Sequence, residues 1–211
     1  MLFLDHLTVV APTLRKVVDH IQECLGLSVP FGTRHDYMGT HNHRLQLGNG
    51  VYLEIVARDP DGIDPGRSRW FGTGDPAQVR QDWQQGRRLR GWVAATRSIE
   101  SHVAQHPAFG EVVPLPFTNP AFAFTIPVDG SLPQVGVLPS LIDHRGDPTA
   151  MWEIPELGAR LVSFTLQHSE PERVAATYRE LAIDRPPKVQ LGRSMRYEAV
   201  IDTPNGLRTL W

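Results

Sequence analysis

The segment His35–Ala57, HDYMGTHNHRLQLGNGVYLEIVA, constrains the fold most, because it contains a β-hairpin with a recognisable turn. Gly48–Gly50 separates two runs rich in apolar and aromatic residues, and Asn-Gly readily adopts the positive φ angles that a tight turn requires. After the turn, apolar residues alternate along Val51–Ala57, which predicts a strand that packs its aliphatic row and turns Glu54 to the other face. A buried carboxylate is costly without a partner, so Glu54 is expected to meet a metal, an arginine or solvent.

The region before this hairpin supplies a strand and a helix. Residues 2–10 have the pattern of a buried strand. Thr13 fits the N-cap of a helix whose apolar positions follow the 3.6-residue period, and Gly26 is a natural C-terminal stop. Residues 29–34 predict a short strand, and His41–Leu47 predicts the next. The predicted element order is therefore β-α-β-β-β.

A second copy of this pattern lies 156 positions further along the chain. At that offset Thr13 aligns with Ser169, and Asn49-Gly50 aligns with Asn205-Gly206. Such a repeat predicts structural modules of one kind, with a less regular copy between the two. The predicted division is a first βαβββ module (1–57), a long loop (58–88), an irregular second module (89–145), a linker (146–160) and a third, degenerate module (161–211).

The long loop 58–88 is rich in Gly, Pro, Asp and Arg, but it also carries Trp70, Phe71 and Trp83. A connection of this length inside a compact domain is commonly functional or disordered. Its aromatic residues argue against simple disorder. We interpret it either as a plug that packs over an open sheet or as a substrate lid.

Composition excludes several classes of partner. The formal net charge is -2, with 21 basic and 23 acidic residues well mixed, so no broad basic field is available for nucleic acid or an anionic membrane. Cys24 is the single cysteine, which rules out an internal disulfide and fits a reducing compartment. The first residues lack the pattern of a signal peptide, and no stretch has the length of a membrane span. A cytoplasmic protein is expected.

Three segments together carry a family resemblance. FLDHLTVVAPTL (3–14), GTHN (39–42) and GNGVYLEIVA (48–57), set in repeated β-α-β-β-β units, resemble the vicinal-oxygen-chelate superfamily. Within it they resemble the glyoxalase-like branch of glyoxalase, bleomycin-resistance and dioxygenase type. The resemblance implies an α+β fold in which curved, mixed, mostly antiparallel sheets form a cup with helices outside.

The resemblance also implies a metal in the cup. One side chain of the first strand and a Glu of the fourth strand of each module are the usual ligands in that superfamily, and His6 and Glu54 occupy those positions here. Imidazole and carboxylate suit a divalent Zn, Ni, Mn or Fe, which would act as a Lewis acid on a carbonyl, diol or enediolate. His41 or His43 as a second imidazole would give the facial triad of an extradiol-type non-haem iron dioxygenase, the less favoured variant.

The rest of the ligand set departs from the family pattern. In the third module Val162 and Leu210 align with His6 and Glu54. In the second module the counterparts of the histidine are Gly91 or Trp92, and those of the glutamate are Ser140, Ile142 or Asp143. A metal therefore needs another ligand or is absent, and the candidates for that ligand are His41, His43 and Asp143.

Each candidate residue also has a purely structural interpretation. His6 could be a hydrogen-bonded core histidine, and Glu54 could pair with Arg34 or Arg44 instead of a metal. Arg34 and His35 could bind an anionic substrate or simply be solvated.

The leading functional expectation is a glyoxalase-like enzyme that acts on a small oxygenated metabolite by lyase or isomerase chemistry. The expected catalytic residues are Glu54 and His6, and the expected substrate-binding residues are His41, His43, Arg34, His35 and Trp92. The alternative is a non-catalytic protein of the same fold that sequesters a small molecule, with an aromatic groove formed by Trp70, Trp83 and Trp92. Much of this inference rests on analogy of fold, and a fold alone does not determine function. Either function is compatible with a homodimer.

Overall fold

A computed structural model describes residues 1–115, 122–146 and 151–211. It confirms the α+β class. The strands are β1 (Leu2–Ala11), β2 (Phe31–His35), β3 (Thr40–Gln46), β4 (Tyr52–Arg58), β5 (Leu89–Ala95), β6 (Glu111–Leu115), β7 (Phe122–Ile126), β8 (Ser140–Asp143), β9 (Arg160–His168), β10 (Ile183–Asp184), β11 (Lys188–Leu191), β12 (Arg196–Thr203) and β13 (Gly206–Leu210). The helices are α1 (Leu14–Leu25), α2 (Pro76–Gln84), α3 (Ile99–Gln105) and α4 (Pro171–Glu180), with short 3-10 turns at Trp70–Gly72, Pro107–Phe109 and Pro133–Gly136.

The first module has the predicted helix cap, helix end and hairpin turn. Thr13 caps α1, because its Oγ1 accepts a hydrogen bond from the Lys16 backbone N–H at 3.3 Å. Gly26 ends the helix at φ 68°. Asn49 and Gly50 form the hairpin turn at φ 52° and 72°, and β3 and β4 pair antiparallel on either side of it.

Among the described residues, two modules supply eight strands of a nine-stranded mixed sheet in the order β2-β3-β4-β1-β5-β8-β7-β6, and β10 is the ninth strand, paired with β1. In the first module β1 pairs parallel with β4, and in the second module β5 pairs parallel with β8. β1 and β5 join the modules antiparallel. The sheet curls into a half-barrel, which agrees with the predicted cup.

Residues 161–211 correct the predicted third repeat. Apart from β10, which pairs parallel with β1 in the large sheet, their strands form a separate four-stranded sheet of order β11-β9-β12-β13, whereas the first module has the order β2-β3-β4-β1. α4 returns the chain so that β11 pairs parallel with β9, and β12 takes the other side of β9. The helix and turn signals repeat, but they are local and do not dictate which strands pair. The strand order therefore contradicts superposition of this segment on residues 3–57.

Apolar side chains pack on both faces of the large sheet. On the convex face, Leu7 and Val9 of β1 and Trp92 of β5 join a core with α1, α4 and the four-stranded sheet. On the concave face, Val10 and Val93 join a second, smaller core. The alternation of side chains along each strand therefore separates two interiors.

In segment 58–88, Trp83 on α2 packs against the larger core, whereas the residues around Trp70 pack into the concave face. Trp70 and Phe71 are buried there, and each has its ring centroid 5.5 Å from that of Phe124 on β7. Arg69 fixes the turn by donating from Nε to the Met38 carbonyl at 2.9 Å. Phe71 has φ 55°, a left-handed conformation that is strained for a residue other than glycine. We call Trp70–Gly72 the plug turn.

Candidate active site

Asp5 and His6 reach one site because β1 is irregular at this point. Leu4 pairs with Ala94 and His6 with Val93, so the register shift leaves Asp5 as an extra residue on β1. An extra residue of this kind interrupts the alternation of side chains. Asp5 Oδ1 accepts a 2.6 Å hydrogen bond from His6 Nδ1, and both side chains are buried.

Glu54 approaches the same imidazole from β4. Its Oε2 lies 3.5 Å from His6 Nε2, so the predicted convergence of the two side chains is observed. That distance is longer than an ordinary hydrogen bond, and His6 Nε2 is buried with no hydrogen-bond partner among the described residues. Glu54 Oε1 accepts a 2.7 Å hydrogen bond from Asn42 Nδ2. Tyr52 stacks on His6 with ring centroids 4.4 Å apart.

A chain of hydrogen bonds connects Glu54 to the plug turn. Asn42 Nδ2 also lies 3.3 Å from His35 Nε2, and His35 Nδ1 lies 3.0 Å from Thr40 Oγ1. Burial lowers the pKa of His35 to about 4, so its imidazole is neutral at physiological pH. Nε2 then accepts from Asn42, and Nδ1 donates to Thr40. The same Thr40 hydroxyl accepts a hydrogen bond from Trp70 Nε1 at 3.2 Å.

The two carboxylates hold His6 in its charged form. Burial alone disfavours the imidazolium, but the hydrogen bond to Asp5 and the charges of Asp5 and Glu54 outweigh it and raise the pKa of His6 to about 9. Burial likewise opposes the charge of Glu54, yet contact with His6 and the Asn42 hydrogen bond lower the pKa of this carboxyl. The pKa of Asp5 lies well below its usual range despite burial, because His144 and His6 both bond to it. His144 Nε2 is 2.8 Å from Asp5 Oδ2.

The second half of the family's ligand set is apolar. Val93 of β5 pairs with His6 of β1 where the two modules meet. In the first module Glu54 pairs with Thr8, two residues after His6. In the second module Ile142 pairs with Ala95, two residues after Val93. The structural counterparts of His6 and Glu54 are therefore Val93 and Ile142, and the predicted counterparts Gly91 and Trp92 were wrong by one or two positions.

These residues do not fit a divalent metal. Val93 and Ile142 offer no donor atom, and the Phe71 ring lies 6.3 Å from the His6 ring on the concave side. In the parts of the chain that the structure describes, no group of three or more His, Cys, Asp or Glu side chains is arranged to hold a metal ion. At the family's four ligand positions, all within the described residues, the donors are thus His6 and Glu54 alone, and these two form an ion pair.

The predicted third ligand, His41, faces away from Glu54. Asn42 and Arg44 of β3 pair with Val56 and Glu54 of β4, so the alternate residues His41 and His43 lie on the other face of the sheet. His43 Nδ1 contacts the Val29 carbonyl at 2.7 Å. This alternation corrects two predictions for His41 and His43. They do not complete a facial triad with His6 and Glu54, and they do not bind substrate at this site.

The other predicted substrate-binding residues also lie elsewhere. Arg34 is half-exposed and pairs with Asp59, not with Glu54. His35 is buried in the hydrogen-bond chain, which corrects its interpretation as a solvated loop residue. Trp92 is buried in the convex core, with ring centroids 5.7 Å from Tyr178, and does not line a groove.

Sequence reasoning missed four residues of this site: Asp5, Asn42, Tyr52 and His144. The Asp5-His6 pair in an apolar strand was a usable signal, because a buried carboxylate next to a histidine requires partners. Asn42 and Tyr52 follow from the register of β3 and β4. His144 is distant in sequence, so only the paired sheet could reveal it.

The fold and this site define the class of the protein. Two βαβββ modules joined into one curled sheet, with His6 and Glu54 on the inner face, are those of the vicinal-oxygen-chelate superfamily. Residues 4–182 match the glyoxalase-like domain family, and the chain belongs to that family. No curated protein matches the sequence. No helix in the described residues is long and apolar enough to cross a membrane.

Solved structures share the fold at low sequence identity. A hypothetical protein from Staphylococcus aureus is 12% identical with a TM-score of 0.60, over 93% of this chain and 88% of that chain. Streptomyces coelicolor methylmalonyl-CoA epimerase in complex with 2-nitronate-propionyl-CoA is 15% identical with a TM-score of 0.40, over 68% of this chain and 94% of that chain. The epimerase from Mycobacterium tuberculosis is 16% identical with a TM-score of 0.39, over 66% and 86%.

Proposed function

We propose that this protein is an enzyme that moves a proton at the carbon next to a carbonyl of a small oxygenated metabolite, without a metal. The observation that supports the proposal is the buried set Asp5, His6 and Glu54, in which His6 Nε2 has no hydrogen-bond partner among the described residues. A buried polar atom without a partner is costly. A catalytic role is one explanation for such an atom.

The chemistry divides between the two groups. The His6 imidazolium donates its Nε2 proton to the carbonyl oxygen, and the Glu54 carboxylate accepts the proton from the adjacent carbon, which yields an enol. From a 2-hydroxycarbonyl substrate this enol is an enediol. Glu54 returns its proton to the former carbonyl carbon while the hydroxyl on the other carbon gives its proton to His6 Nε2 and becomes the new carbonyl, so the net reaction is an isomerisation. Asp5 holds the imidazole through Nδ1 and stabilises its charge. Asn42 orients Glu54.

Substrate entry requires the plug turn to move. Trp70 and Phe71 cover the concave face in this structure, and the left-handed φ of Phe71 is a strained conformation. Strain of this kind costs about 1–3 kcal/mol and concentrates at functional sites. Release of that strain would offset part of the cost of opening the turn.

The second candidate is a non-catalytic binding protein of the same fold. The burial of His6 favours this candidate. His6 is 2% exposed, and a covered polar group can retain a bound molecule through a hydrogen bond. The two candidates differ in one property: only the enzyme exchanges carbon-bound hydrogen.

Deuterium exchange tests the proposal. The protein is incubated in D₂O with small 2-hydroxyaldehydes, 2-hydroxyketones, 2-oxo acids and short acyl thioesters, and proton NMR follows the hydrogen next to the carbonyl. At least one compound should exchange, with a rate at least about 100-fold lower in Glu54→Gln and His6→Gln. Glu198→Gln, at an exposed position of β12, is the matched control.

Two results would contradict the enzyme. One is binding of a compound, seen as a melting shift, with no exchange of its hydrogen. The other is exchange that both Glu54→Gln and His6→Gln retain while they remain folded by circular dichroism.

A further inference from the structure

A large cavity lies apart from His6, where β5 begins. Its volume is about 880 Å³, within the range that accommodates a small organic molecule. The segment 64–90 forms one wall, including Gly72 of the plug turn, and the C-terminal residues 195–197 with Trp211 form another. Phe71 separates the cavity from His6, because its ring faces His6 while its carbonyl accepts from Arg90 Nη1 at 3.2 Å.

The charged residues around this cavity are not balanced. Five arginines and four aspartates line it. Arg87 and Arg90 share the one carboxylate of Asp82. Asp75 is used as a helix cap, since its Oδ1 accepts the backbone N–H groups of Ala77 and Gln78, and Asp129 accepts the N–H of Ser131. Asp64 pairs with Arg69, with Oδ1 3.6 Å from Nη2. Each aspartate thus has a local partner, and the five arginines exceed the four aspartates by one positive charge.

Two of the arginines are free to bind an anion. Arg67 and Arg196 are exposed to the cavity, and neither makes an ion pair with any described residue. Arg90 lines the same cavity with its Nε buried and without a hydrogen-bond partner among those residues. Guanidinium groups prefer carboxylate, sulfonate and phosphate oxygens, which accept their parallel N–H donors.

The cavity also has an apolar side next to these donors. Arg196 lies over the Trp211 ring, with its guanidinium carbon 5.9 Å from the ring centroid. Met195 and Leu132 are partly buried and line the same space. A flat apolar group can pack on Trp211 and Met195 while its anionic group stays near Arg196.

We propose that this cavity is a binding site for a small organic anion with a flat apolar body, such as an aromatic carboxylate. Arg196 and Arg67 bind the anionic group, and Trp211 and Met195 bind the body. The C-terminal sheet supplies much of this chemistry from positions 195–211, which lie beyond the family match at residues 4–182. The site is therefore a feature of this chain added to the glyoxalase-like fold.

Calorimetric titration with 2-naphthoate tests the site, with the uncharged 2-naphthamide as the matched probe. Naphthoate should bind at concentrations below about 1 mM, and naphthamide should bind at least about tenfold more weakly. Arg196→Gln and Trp211→Leu should each weaken naphthoate binding about fivefold to tenfold. Arg193→Gln, two residues past β11 and outside the cavity, is the control and should bind as wild type does.

His6→Gln separates this proposal from the proposed reaction, because it should bind naphthoate as wild type does. The anion site is overturned by equal affinity for naphthoate and naphthamide, by equal effects of Arg196→Gln and Arg193→Gln, or by no binding at about 1 mM. Loss of binding in His6→Gln with retention in Arg196→Gln would place the ligand in the cup instead. Circular dichroism of each variant confirms that it is folded.

Discussion

Replacement of Glu54 by Gln probes the charge at the centre of the site. Glutamine keeps the shape of the side chain, and its carbonyl oxygen can still accept from Asn42 Nδ2. The substitution removes the negative charge 3.5 Å from His6 Nε2. Because the pKa of Glu54 is lowered in the folded protein, folding favours its charged form, and neutralisation should destabilise the protein.

The size of the effect follows from His6. Its pKa rises from 6.5 to about 9, and at 1.36 kcal/mol per pKa unit this corresponds to about 3 kcal/mol, which is the net stabilisation by Asp5 and Glu54 after burial has opposed the charge. An even division gives Glu54 about 1.5 kcal/mol. The weaker hydrogen bond from Asn42 to a neutral acceptor adds about 0.5 kcal/mol. We expect a loss of about 2 kcal/mol, or a melting temperature lower by about 4–8 °C for a chain of this size.

Urea unfolding at two pH values distinguishes this charge effect from altered packing. A raised histidine pKa contributes stability that is complete below the unfolded value of 6.5 and is lost as the pH rises through about 9. The loss in Glu54→Gln should therefore be complete at about pH 6 and largely absent at about pH 10, where His6 is neutral in both proteins. Glu198→Gln, on the exposed face of β12, should change little at either pH.

An equal loss of stability at both pH values would show that altered packing, not the lost charge, causes it, since altered packing does not depend on the charge of His6. A larger loss at the higher pH would refute the charge effect more strongly.

Three further predictions concern the rest of the molecule. Val93→His combined with Ile142→Glu restores the family's four donors beside His6 and Glu54, so Zn²⁺ or Ni²⁺ should raise its melting temperature but not that of the wild type; a metal response of the wild type would contradict our assignment of these counterparts. Thr125→Val leaves the buried N–H of Leu141 without its acceptor at 2.7 Å, which should cost about 1–3 kcal/mol in urea unfolding, and an unchanged midpoint would show that another acceptor replaces it. Phe71→Ala removes a buried ring from the concave core and should cost about 3–5 kcal/mol, whereas a loss below about 1 kcal/mol would show that the plug turn does not pack as described.

The sequence carried enough information for the first module. The cap at Thr13, the stop at Gly26 and the turn at Asn49 depend on neighbouring residues, so a local pattern predicts them. The convergence of His6 and Glu54 followed from strand alternation together with the family resemblance. These predictions are confirmed because they depend on neighbouring residues or on a regular alternation along a strand.

The remainder depends on pairing between distant strands, which no local pattern encodes. The 156-residue repeat matches a helix and a turn, yet β9 pairs with β11 and β12 in an order that the first module does not use. Asp5 enters the site through a register shift against β5. The sequence predicts His41 as a ligand because it lies close to Glu54 along the chain. Side chains alternate along β3, however, and His41 lies on the convex face.

The proposed proton transfer requires a charged His6 at neutral pH, and NMR measures this charge state. Protein labelled at histidine with ¹⁵N and ¹³C is titrated by NMR, and His6→Gln identifies the signals of His6 among those of the nine histidines. We expect a midpoint near pH 9 and an imidazolium at neutral pH, because Asp5 and Glu54 flank the ring without a metal. A midpoint at or below the ordinary value of 6.5 would contradict it.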